Sequence, residues 1–178
     1  MRLNMELVLG GIAVFVGAAL QNVISATGAV PVKWPFLTAV ALYYALMKPT
    51  LMALTVGAWA GLLTDVLGGL PSGCTCVFLA LAYGGARVFQ RVSVDAAVIT
   101  GMALTGVAAA LQQVWVRVWV RGTGVEVFSL EMLRLAGAAM AVGLAVGGLT
   151  FLVLGGVDRF VCGKGRGGIP SLSGIHGG

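Results

Sequence analysis

Residues 48–73 read KPTLMALTVGAWAGLLTDVLGGLPSG. An apolar helix opens on Lys48-Pro49, carries Gly57, Gly61 and Asp65 at intervals of four, and stops in a Gly-Gly-Leu-Pro-Ser-Gly turn. Residues four apart share one helix face. Two glycines therefore make a flat groove, and a single carboxylate follows on the same stripe one turn later. In a soluble chain this would be a buried helix with an awkward acid. In a chain this apolar it reads as a transmembrane helix with a packing face and one costly charge.

The rest of the chain supports that setting. Of 178 residues, 59% are hydrophobic and 10% charged, and mean hydropathy is +1.02. Globular domains carry about 25% charged residues, so this inventory cannot build a soluble surface. Glycine reaches 28 residues without a Gly-X-Y period, as suits helices whose backbones approach closely in lipid. The net charge of +5 comes from Lys and Arg at helix ends and in the tail, where they face headgroups. No basic stripe interleaved with aromatics points to nucleic acid.

Six apolar runs are visible, at residues 7–24, 35–47, 50–67, 74–89, 94–120 and 132–157. A bilayer core of about 30 Å takes roughly 20 helical residues. The second run is short and is interrupted by Lys33 and Pro35, which leaves five or six helices. The start of the chain has the shape of a signal peptide, but with five further apolar runs it reads as an uncleaved first helix. The expected fold class is therefore all-α, a polytopic transmembrane bundle over residues 1–162. Ser93 is a candidate N-cap for the fifth helix. Residues 163–178 contain seven glycines and the only histidine, His176. They are expected to be a disordered tail.

With six spans and the N-terminus inside, seven basic residues (Arg2, Lys48, Arg87, Arg91, Arg159, Lys164 and Arg166) fall on the cytoplasmic side. Four (Lys33, Arg117, Arg121 and Arg134) fall outside. That bias places both termini in the cytoplasm.

Few residues offer chemistry. Asp65 is a functional candidate because an intramembrane carboxylate is expensive. It has two readings: it caps the turn at residues 68–73 or reaches outer water, or it meets a partner inside the bundle or in another subunit, with Arg117 and Arg121 at its level. Gly57 and Gly61 have the spacing of a close helix contact. So do Ala139, Gly143 and Gly147, so the third and sixth helices are expected to pack on each other or on a partner. Gln21, Asn22, Gln113, Arg117 and Arg121 converge on the outer side, either snorkelling at the interface or lining an outward cavity. Cys74, Cys76 and Cys162 lack zinc spacing. No nucleophile–base pair, metal site or cofactor motif can be assembled, so an enzyme is not expected.

The pattern Lys48-Pro49, then Gly57-x-x-x-Gly61-Leu62-Leu63-x-Asp65-x-x-x-Gly69-x-Pro71-x-Gly73, resembles the signature of the bacterial rod shape-determining protein MreD family. The likeness in hydropathy spans about residues 5–160, and the specific motif 26 residues. It implies a non-enzymatic inner-membrane scaffold of the cell-wall elongation machinery. Such a scaffold associates with MreC, and through it with MreB and the RodA–penicillin-binding protein synthase. The implied fold is similar to substrate-binding S-components of vitamin transporters. The matching positions Gly57, Gly61, Asp65, Gly69, Pro71 and Gly73 are the expected partner-binding and packing set. The alternative reading is a small-molecule carrier, an S-component-like subunit with Gln21, Asn22, Asp65, Gln113 and Arg117 in an outward pocket.

Overall fold

The computed structural model describes residues 2–26, 33–90, 97–121 and 129–161. They form six helices: α1 (Arg2–Ala26), α2 (Phe36–Met47), α3 (Thr50–Gly68), α4 (Cys74–Gln90), α5 (Ala97–Arg121) and α6 (Leu130–Val161). The fold is an all-α bundle, and the question of five or six helices resolves to six. Four stretches are long and apolar enough to cross a membrane, Glu6–Ile24, Thr50–Gly68, Val98–Val120 and Leu130–Asp158. Ser93, Cys162 and the glycine-rich tail lie outside the described residues.

The short second helix is the hub. Every residue of α2 is apolar, Thr or Tyr, and a helix apolar all round belongs inside. Phe36 through Leu46 are all buried. α2 touches each of the other five helices, which run α1, α3, α4, α5, α6 around it. Among the described residues α1 and α6 do not touch, so the ring is open on that side.

Twelve residues span only about 18 Å, well short of a bilayer core. The ends of α2 must therefore be sealed by protein, because lipid supplies no hydrogen bonds. At the start, the Leu37 N–H donates to Gln21 Oε1 of α1 (3.4 Å). One residue on, Thr38 Oγ1 donates to Gln112 Oε1 of α5 (2.8 Å). At the far end, Arg87 Nη2 of α4 donates to the Lys48 carbonyl (2.7 Å).

Small residues set the tightest contact, but not between the helices expected. Among the described residues α3 and α6 do not touch. The Ala139-Gly143-Gly147 stripe of α6 lies instead on α5. A Cβ on Gly143 would sit 2.8 Å from Ala109 Cβ and 2.9 Å from both Gly106 Cα and the Thr105 carbonyl. One on Gly147 would sit 2.7 Å from Thr105 Cβ. The short connection between α5 and α6 makes them antiparallel neighbours, and neighbours in sequence take up each other's grooves. Gly143→Ala should therefore destabilise the bundle by about 1–3 kcal/mol. Gly137→Ala, on the same helix with nothing within 4 Å, should be neutral or slightly stabilising. Unfolding of both variants in detergent, monitored by circular dichroism, checks the contrast.

Candidate functional site

The α3–α4 turn explains most of the motif in residues 48–73. α3 ends in a left-handed glycine, Gly69, with φ 61°. The Gly69 N–H bonds the Val66 carbonyl (3.3 Å) and the Leu70 N–H bonds the Asp65 carbonyl (2.9 Å), the paired bonds of a Schellman ending. Gly73, with φ 98°, turns the chain into α4. Both positions need glycine because other residues strain at positive φ. The exposed Pro71 lends its carbonyl to the Cys74 N–H (3.2 Å).

Asp65 closes the turn. It is 1% exposed, and its carboxylate accepts from the Gly73 N–H (Oδ2, 2.8 Å) and the Thr75 N–H (Oδ1, 2.9 Å). These are otherwise orphaned donors at the start of α4, and the negative charge sits where the helix dipole favours it. Gly61, one turn earlier, makes room for the same helix. A Cβ there would lie 2.8 Å from Cys76 Sγ and 2.9 Å from Cys76 Cα. Trp115 of α5 donates its indole N–H to the Cys74 carbonyl (3.0 Å), so α5 is tied to the same corner. Thr75 is fully buried, and its Oγ1 has no hydrogen-bond partner among the described residues.

Of the two readings for Asp65, the geometry is that of a cap, placed on the helix that follows. Arg117 does not reach it. That guanidinium lies 3.2 Å from Met132 Sδ, and the Arg121 side chain lies outside the described residues. Gly61 and Asp65 face α4, whereas a Cβ on Gly57 would meet nothing within 4 Å. The stripe of three is thus divided, two positions inside the bundle and one on its surface.

The other polar residues named from the sequence differ in their surroundings. Gln21 is buried against the start of α2, Asn22 is exposed, and Gln113 and Arg117 are half-buried. The α5 glutamine that reaches the core is Gln112, adjacent to the expected Gln113.

The densest polar cluster stands at the opposite end of α3 from Asp65. Lys48 Nζ lies 3.0 Å from Asp158 Oδ1 of α6 and 3.9 Å from Glu6 Oε1 of α1. The Tyr43 hydroxyl donates to Asp158 Oδ2. Arg87 holds the Lys48 carbonyl and donates its Nε–H to the Tyr83 hydroxyl (3.0 Å). One cluster thus joins α1, α2, α4 and α6. Sequence reasoning passed over it by counting Lys48 and Arg87 only as basic residues that set orientation and giving Glu6 and Asp158 no role. A signal was present: with six spans, all four fall at the same membrane face with balanced signs. The arrangement can hold helix ends together electrostatically. Among the described residues no three His, Cys, Asp or Glu side chains gather as metal ligands.

No family model, curated protein or solved structure matches this chain.

Proposed function

We propose that this protein is a non-enzymatic scaffold in the bacterial inner membrane, with both termini in the cytoplasm. In this reading it belongs to the cell-wall elongation complex and binds an MreC-like membrane protein, through which it meets MreB and the RodA–penicillin-binding protein synthase. The observation that supports it most is the α3–α4 clasp. The positions that carry the resemblance to the MreD family include the acid, the close-approach glycine and both turn glycines, and these build one rigid corner. A motif used in that way suits a protein whose work is to present helix faces. The carrier reading has less to draw on, because Gln21 and Asp65 are engaged within the chain.

Co-expression with an MreC-like protein tests the proposal. Co-elution in mild detergent is the expected result, together with loss of rod shape when the protein is depleted. Absence of the complex, with a vitamin or other small molecule carried through purification, would overturn it. Gly57→Leu is the informative surface variant, since the added side chain meets nothing in this chain. Substitutions at Gly61 and Asp65 would disturb the bundle itself.

A further inference from the structure

Two polar side chains stand in the tightest helix contact of the bundle. Gly106 and Ala109 of α5 lie against Gly143 of α6, and Arg117 meets Met132. Gln113 falls four residues from both Ala109 and Arg117, so it continues the same stripe. Gln113 and Arg117 are each half-buried. What α6 sets against that stripe is apolar. Met132 is 4% exposed, and Leu135, Ala138 and Ala139 cluster with Ala109.

Neither polar group finds an acceptor suited to it. A guanidinium carries five N–H donors in a planar fork. The described residues give Arg117 one partner, the Met132 thioether at 3.2 Å, and a thioether is a weak acceptor. The Gln113 side chain has no hydrogen bond to any described residue. Glu131 and Arg134, the charged residues beside Met132, are exposed and form no ion pair among the described residues. An arginine that only snorkels extends its head into water. Arg117 instead keeps its head against a buried sulfur, with donors to spare.

Depth and spacing identify a partner. Trp119, two residues beyond Arg117, is 51% exposed, and its ring packs on that of Trp115 with centroids 6.2 Å apart. Exposed tryptophans mark the headgroup level of a membrane helix. Arg117 likewise stands close to the end of the apolar stretch Val98–Val120. A lipid phosphate at that level presents the fork with paired acceptor oxygens. Gln113 lies about 6 Å deeper along α5, and the headgroup layer on each side of a bilayer core is about 5–7 Å thick. The ester carbonyls of a glycerophospholipid lie at the inner edge of that layer, at the depth of the Gln113 amide.

We propose that Arg117 and Gln113 hold the head of one glycerophospholipid at the α5–α6 seam. The guanidinium donates to the phosphate and the Gln113 amide to an ester carbonyl. The site stands at the opposite end of α6 from Asp158 and the Lys48 cluster. It goes beyond the scaffold reading and does not depend on it.

Native mass spectrometry of the full chain in detergent, titrated with phosphatidylglycerol, tests the site. Wild type should take up one lipid saturably. Diacylglycerol with the same acyl chains lacks the phosphate and should bind about tenfold more weakly, the scale of a charge-assisted hydrogen bond. Arg117→Met should lose phosphatidylglycerol by a similar factor. Gln113→Leu should weaken phosphatidylglycerol about threefold and leave its ether-linked analogue, which has no ester carbonyl, unchanged. A purely structural role for Gln113 would weaken both lipids alike, and would remove it from the site. Arg134→Met, exposed at the same end, should bind as wild type does. No saturable uptake, diacylglycerol bound as well as phosphatidylglycerol, or equal losses in Arg117→Met and Arg134→Met would each overturn the proposal. Inorganic phosphate that displaces the lipid at equal concentration would overturn the lipid as occupant, in favour of a free anion. Uptake that appears only in Glu126→Gln would assign Arg117 to an acid of its own chain, and so overturn it too. Should Arg117→Met fail to fold, the wild-type comparison of phosphatidylglycerol with diacylglycerol still decides.

Discussion

Asp65→Leu should lower the stability of the bundle by roughly 3 kcal/mol, the scale of losing hydrogen bonds to a charged acceptor and leaving buried donors bare. The two stranded donors are the Gly73 and Thr75 amides, 2.8 and 2.9 Å from the carboxylate. Bulk water does not reach the site to replace it, because Asp65 is 1% exposed. Asp65→Asn keeps one acceptor oxygen but turns an amide N–H₂ toward the second donor. Its loss should be intermediate. Unfolding in detergent against a denaturing surfactant measures both. The mechanism also predicts where the damage appears: hydrogen exchange at the first turn of α4 should rise in Asp65→Leu, while α5 and α6 stay protected. An Asp65→Leu protein of wild-type stability would show that the clasp contributes nothing, and would return Asp65 to the role of an external contact.

Lys48→Met should be the second severe variant, at about 2 kcal/mol. Removing one member of a fully buried ion pair costs about 3–5 kcal/mol, because the other charge is left uncompensated. The value is discounted here because Asp158 is 26% exposed and water screens part of its charge. The distinctive outcome is in the double variant. Lys48→Met with Asp158→Leu removes both charges, so it should be less destabilised than the sum of the single changes by 1 kcal/mol or more, as expected of directly coupled residues. Additive losses would mean that Lys48 acts by packing alone.

Much of this architecture was legible in the chain. Hydropathy located all six helices, with each boundary within five residues of its observed place. The turn at residues 68–73 was readable because glycine, proline and serine have fixed backbone preferences. The capping role of Asp65 was one of two readings that its spacing allowed. What the turn did not reveal was the recipient: an acid four residues before Gly69 can serve its own turn, the next helix or a neighbour. Gln112 and Gln113 differ by one position, and only helix rotation decides which one meets Thr38. The Lys48 cluster was missed because its members are up to 152 positions apart, from Glu6 to Asp158.

By itself, then, the sequence determined an all-helical chain with stretches long and apolar enough to cross a membrane, the extent of its helices and the glycine turn between the third and fourth. These follow from local quantities: the free energy of placing each side chain in lipid, and the backbone freedom of single residues. Tertiary structure alone decided that the shortest helix is the hub, that the sixth helix packs on the fifth and not the third, and that Gly61 and Asp65 face inward while Gly57 stays on the surface. Small-residue stripes recur on several of these helices and are locally equivalent. Which of them meet depends on how all six faces fill space together, and no single stretch contains that information.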